Sequence, residues 1–150
     1  MIKHDDTKHK NSEEELQIFQ KACKKHGLKI TPQRIAIYQE LKSSKQHPSA
    51  ITIYRKIRNY FPNISLGTVN STLLTFAGIG LTKVVESSGD PKRFDPDLKP
   101  HHHFKCQKCG KIIDFYNNKY DTIDVPPAIR KRFVVLNKIV QLEGLCDRCR

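Results

Sequence analysis

Four cysteines constrain this chain more than any other feature. Cys106 and Cys109 form one Cys-x-x-Cys pair, and Cys146 and Cys149 form a second that almost ends the sequence. A two-residue gap lets both thiolates of a tight turn reach one ion about 2.3 Å away, and two such turns complete a tetrahedron. Gly110, directly after the first pair, permits that turn. The pattern predicts a structural Zn²⁺ that staples together the two ends of a C-terminal domain. The rival reading is a redox dithiol, which calls for one pair between a strand and a helix N-terminus. Here two equivalent pairs lie among expected strands and loops. The fifth cysteine, Cys23, falls on the apolar face of an expected helix and reads as a small core residue.

The stretch MIKHDDTKHKNSEEE has no apolar run of the signal-peptide kind, and no run elsewhere approaches a membrane span. A soluble, cytoplasmic protein is expected. In that compartment five cysteines read as metal ligands before disulfides. Lys+Arg 27 against Asp+Glu 15 gives a net charge of +12, which attracts polyanions, nucleic acid above all. No enzymatic activity is expected.

The first half reads as helical. Ser12 to Glu15 is a capping-box pattern ahead of Leu16, Phe19 and Cys23 on one face, with Gly27 as C-cap. Thr31-Pro32 restarts a helix whose buried face is Ile35, Tyr38 and Leu41. A third follows His47-Pro48-Ser49, carries Ile53, Tyr54 and Ile57, and ends at Pro62. Ser65 caps a fourth, with Val69, Leu73 and Phe76 inward and Gly78 or Gly80 closing it. The period then changes. Residues 81–86 and 92–95 read as short strands around a turn-rich 87–91. Helices followed by a hairpin in a basic chain predict a winged helix-turn-helix, whose recognition helix presents its first residues to the DNA major groove. Beyond a linker at 96–100, strand patterns occupy 111–115 and 133–142, and Pro126-Pro127 opens a short helix over 128–132. The expected fold class is α+β. A winged-helix DNA-binding domain spans residues 1–96, and a small α/β metal-binding domain spans 97–150.

If the cysteines saturate one zinc, the histidines are left over. His101 and His103 lie two apart, so in an extended segment they face the same side while His102 faces away. Both imidazoles can then hold one ion, although a solvated polar run reads the same way and a site needs more ligands.

TPQR at 31–34, HPSA at 47–50, ISLGTV at 64–69, GDPKRFD at 89–95, HHHFKCQKCGKIIDF at 101–115 and GLCDRC at 144–149 resemble the ferric uptake regulator (Fur) family. The motifs run in order over nearly the whole chain from about residue 13. The resemblance implies a homodimeric winged-helix repressor that binds a double-stranded DNA operator. Residues 97–150 are then the dimerisation domain, and a structural zinc is joined by a separate regulatory metal. By the same resemblance the regulatory ligands are His47, Asp95, His101, His103 and Asp114. Three imidazoles and two carboxylates suit Fe²⁺ or Mn²⁺ better than tetrahedral zinc. Singly, each has a plainer reading: His47 neighbours a helix start, Asp95 ends a strand, and Asp114 is a surface residue.

Aspartate rather than glutamate at 114 resembles the peroxide-sensing (PerR) branch, which implies oxidation of His47 and His101 to 2-oxo-histidine. Pro100 and His102 stand where the family's auxiliary metal site commonly has His and an acidic residue. The alternative within the family is an iron or manganese sensor without peroxide chemistry. Outside it stand a thiol oxidoreductase and a zinc-ribbon nucleic-acid module. In the recognition helix, Thr68-Val69-Asn70-Ser71 departs from the family's usual Thr-Val-Tyr followed by Arg or Asn. Ser65, Thr68, Asn70 and Ser71 are the candidate base contacts. Lys24, Lys25 and Arg34, with Lys29 and Arg55, are candidate phosphate contacts or else an ordinary solvated face.

Overall fold

The computed structural model describes residues 6–44, 46–85 and 91–150, with side chains from residue 12 onward. The chain forms two compact units, Met1–Leu98 and Lys99–Arg150.

In the first unit, α1 spans Asp6–Lys25. Ser12 to Glu15 therefore lies inside the helix rather than opening it. Ser and Glu cost little in a helix interior, so the pattern did not fix the start. At the far end the Leu28 amide donates to the Cys23 carbonyl (2.8 Å) and the Gly27 amide to that of Lys24 (3.3 Å). Gly27 sits at φ 64°, the left-handed cap that closes such an end. Helix α2, Pro32–Ser43, starts on Thr31, whose hydroxyl accepts from the Arg34 amide at 3.2 Å. Helix α3, Ala50–Ile57, is capped by Ser49, and it ends at Ile57 rather than at Pro62. Tight turns follow, with the Phe61 amide bonded to the Ile57 carbonyl.

Helix α4, Leu66–Gly78, is capped by Ser65, which accepts from the Thr68 amide at 3.0 Å. Its closing glycine is Gly80, at φ 80°, with the Leu81 amide returning to the Phe76 carbonyl. The strands β1 (Lys83–Val85) and β2 (Arg93–Asp95) pair antiparallel with Val84 opposite Phe94. Most of the expected turn between them, residues 87–90, lies outside the described residues. Phe19 stacks on Tyr38 at 4.9 Å, and Phe76 meets both rings edge-on. Around this centre pack Ile37, Leu41, Ile53, Ile57, Val69, Leu73 and Phe94. Ile37 is fully buried and Ile35 only partly, a half-turn error in reading the face of α2. Four helices backed by a hairpin make this unit a winged helix.

The second unit is built on a three-stranded sheet. Strands β3 (His102–Cys106), β4 (Ile112–Phe115) and β5 (Gln141–Gly144) stand in the order β4-β3-β5. The β3–β4 pair is antiparallel and the β3–β5 pair parallel. Two single-turn helices, α5 (Asn118–Asp121) and α6 (Pro127–Arg130), lie between β4 and β5 in the chain. The long strand expected over 133–142 pairs only from Gln141. The reason is length: β3 begins at His102, one residue before the position that Gln141 meets, so residues 133–139 find no partner strand among the described residues. Their apolar side chains stay in solvent, with Val134 85% and Leu136 92% exposed. Among the described residues no helix is long and apolar enough to cross a membrane.

Candidate metal centres

The parallel register of β3 and β5 sets Cys106 beside Gly144 and so brings the two Cys-x-x-Cys turns together. Each turn closes on its own first cysteine: the Gly110 amide bonds the Cys106 carbonyl, and the Cys149 amide bonds that of Cys146, both at 2.9 Å. Gly110 takes φ 71°, as its place after the pair requires. All four sulfurs lie within 4.8 Å of one another. Cys109 Sγ and Cys146 Sγ are 3.7 Å apart. A tetrahedron of thiolates around zinc, with Zn–S near 2.3 Å, has edges of about 3.8 Å. The residues fit that ion.

The thiols are tuned unevenly. Amide groups, first that of Cys109 and then that of Cys146, lower the Cys106 thiol to about 6. A hydrogen bond donated by the Cys149 thiol to Cys146, followed by burial, pushes Cys149 up to about 12. Four thiolates crowded together cannot all ionise without a cation among them. Cys23 is different. Burial raises its thiol, the Arg34 charge opposes this only in part, and its side chain is closed inside the first core.

Imidazole and carboxylate donors pair within each unit. In the first, the HPSA loop runs beside β2. The Phe94 amide donates to the Pro48 carbonyl at 2.9 Å, the Arg93 side chain donates to the His47 carbonyl, and Ser49 bridges to Arg93. That stitching sets His47 Nε2 3.4 Å from Asp95 Oδ2. The other Asp95 oxygen accepts from the Asp97 amide at 2.8 Å.

In the second unit, Asp114 sits directly across from His103 in the β3–β4 register. Its Oδ1 lies 3.5 Å from both His101 Nε2 and His103 Nε2, and the two rings are 4.7 Å apart. His101 Nδ1 is 2.7 Å from the Lys99 carbonyl, which can only accept, so Nδ1 carries a proton and the neutral ring keeps its lone pair on Nε2. His102 makes a separate set of contacts. Its Nε2 is 3.0 Å from Asp121 and its Nδ1 accepts from the Val140 amide. Those partners are 19 and 38 residues further on, and nothing in the local sequence announces them.

On α4, Ser65, Thr68, Asn70 and Ser71 are all exposed. Three are already engaged by their own helix. Ser65 Oγ serves the cap and meets Thr68 Oγ1 at 2.9 Å, and Ser71 donates to the Thr68 carbonyl. Asn70 is exposed on the same stretch of the helix. Lys24 and Lys25 are exposed at the end of α1, while Arg34 is partly buried and donates to the Lys29 carbonyl.

A family model described as the ferric uptake regulator family matches residues 25–141. The peroxide-responsive repressor PerR of Staphylococcus epidermidis is 36% identical over 129 residues, 86% of this chain and 86% of that protein. Among solved structures, the Helicobacter pylori ferric uptake regulator Fur, described as having three functional metal binding sites, superposes with a TM-score of 0.76. It is 26% identical and covers 92% of this chain and 93% of its own. The Campylobacter jejuni peroxide stress regulator superposes with a TM-score of 0.63 at 30% identity, over 89% of this chain and 98% of that one.

Proposed function

The chain belongs to the ferric uptake regulator family, and we propose that it is a cytoplasmic, homodimeric, metal-dependent transcription repressor that senses peroxide. One observation carries the reading. The chain holds two chemically distinct donor sets, four thiols in one cluster and separate imidazole–carboxylate pairs. In our reading Cys106, Cys109, Cys146 and Cys149 hold Zn²⁺ permanently. His47, Asp95, His101, His103 and Asp114 hold an exchangeable Fe²⁺ or Mn²⁺, the ions that mixed nitrogen and oxygen donors suit. Likeness to a peroxide-responsive repressor, together with aspartate at both carboxylate positions, favours peroxide over iron supply as the signal.

The chain's own groups prepare the regulatory site. The Lys99 carbonyl fixes His101 in the tautomer with Nε2 available. The Asp97 amide occupies one oxygen of Asp95, leaving Oδ2 as the donor. Ligands drawn from both units let one bound ion restrict the orientation of the DNA-binding unit, and a dimer needs that orientation fixed to reach two operator half-sites. Bound Fe²⁺ supplies the one-electron reduction of peroxide, which Mn²⁺ does not readily perform. By the family resemblance the rings of His47 and His101 would be the groups oxidised, and a 2-oxo ring would be a poor donor. Its loss weakens the ligand set and ends repression.

Ser65, Thr68, Asn70 and Ser71 are proposed to face the bases, with Lys24, Lys25 and Arg34 on phosphates; Asn70 can pair bidentately with adenine. The exposed apolar segment 133–139 is proposed as part of the dimer contact. The test is operator binding by the zinc-loaded protein. Binding that requires added Fe²⁺ or Mn²⁺ supports the reading. Binding that ignores both ions favours a plain zinc-ribbon DNA binder.

A further inference from the structure

Three consecutive histidines pose a register problem. A strand slipped by one residue exchanges its faces, and would turn His102 toward Asp114 in place of His101 and His103. Something must select the productive pair. The His102 ring is 1% exposed and is held at both ends. Its Nδ1 accepts from the Val140 amide at 3.2 Å, so that nitrogen carries no proton. The proton is therefore on Nε2, which donates to Asp121 Oδ1 at 3.0 Å. The ring also lies against Phe115 and edge-on to Tyr120. Val140 in turn accepts from the His103 amide at 3.1 Å. One side chain thus ties β3 to α5 and to the residue just before β5.

We propose that His102 is a positioning residue for the regulatory metal. Its two-ended tie locks the pleat of β3, so that His101 and His103, and not His102, present Nε2 beside Asp114. The inference rests on the reading that these residues bind a regulatory ion. It adds that ion affinity depends on a histidine that never touches the ion. Asp121, whose side chain is half-exposed, is the outer member of the tie.

The test uses the full zinc-loaded protein with Mn²⁺ as the probe, titrated by calorimetry alongside zinc content and thermal unfolding. His102→Phe keeps the ring and loses both hydrogen bonds. Its Mn²⁺ dissociation constant is expected to rise at least about tenfold, the usual effect of removing such an outer support, with one zinc per chain retained. Asp121→Ala is expected to weaken Mn²⁺ severalfold, and it carries the test alone if His102→Phe does not fold. Asp121→Asn keeps the accepting oxygen and is expected to bind as the parent does, a rescue that a merely structural role does not require. Unchanged Mn²⁺ affinity in Asp121→Ala, or in a folded His102→Phe, overturns the proposal while leaving the metal reading intact. A parent protein that binds no Mn²⁺ overturns both.

Discussion

The two units solve the problem of stability in opposite ways. The first encloses a dense aromatic and aliphatic core, with Phe19, Ile37, Leu41, Val69, Leu73, Phe76 and Phe94 fully buried. The second buries few apolar residues among those described, chiefly Cys106, Ile112 and Cys146, and leaves Phe133, Val134, Leu136, Ile139 and Leu145 largely in solvent. A sheet so small, with so little apolar burial, is too small to hold itself together by that means alone. Its sulfurs sit where a zinc ion would close both ends, and its exposed apolar segment would suit a partner surface. One unit is stabilised from within and the other by what it binds.

Removing zinc should give the largest effect and fall on one side only. Binding energy at a thiolate site is folding energy, an apparent value of about 10–16 kcal/mol in small zinc domains. Cys106→Ser, or exhaustive chelation, should unfold the second unit and dissociate the dimer while the helical signal of the first survives. A zinc-free, dimeric protein of unchanged melting temperature would break the contrast. The converse substitution, Phe76→Ala, should cost the first unit about 3–5 kcal/mol through the cavity it leaves, with zinc content unchanged. Loss of zinc in that variant would mean that the two units do not hold themselves together independently.

A third change sharpens the role of the exposed segment. Leu136→Asp should weaken dimerisation by roughly 2 kcal/mol or more, about thirtyfold, because a charge there meets a desolvated surface. Sedimentation should show this without a change in the melting of the first unit. The last effect appears only in alkali. Burial, with contributions from Glu15 and Cys23, pushes the Tyr38 hydroxyl up to about 12. A raised value means the neutral phenol is favoured in the folded state. That contribution is fully present below about pH 10 and is lost as pH climbs toward 12, a window worth up to about 3 kcal/mol. Tyr38→Phe should flatten the alkaline slope of the first unit. An identical slope in the variant would place the titration elsewhere.

What was legible in the sequence follows the same division. The caps Thr31, Ser49 and Ser65 and the inward positions Val69, Leu73 and Phe76 are local signals, and the first unit could be read from them. The misreadings there were of ends and phases: the start of α1, the end of α3, and Ile35 in place of Ile37. In the second unit the thiolate cluster was legible because its spacing is a chemical signature. The strand over 133–142 was misread because apolar, β-branched composition marks a surface to be covered as readily as a strand to be paired. The partners of His102 were invisible because one follows from the register between β3 and β5 and the other from the placement of α5, and no local pattern records either.

A nitrogen–oxygen metal site, and not the thiolate cluster, is proposed to read the signal. Peptide mass spectrometry of the Fe²⁺- and Mn²⁺-loaded proteins after peroxide, paired with operator binding on the same samples, tests it most directly. One added oxygen is expected on a peptide carrying His47 or His101, in the iron form only, with zinc retained and operator affinity lost in step. Cysteine oxidation with zinc release, and no histidine product, would contradict it.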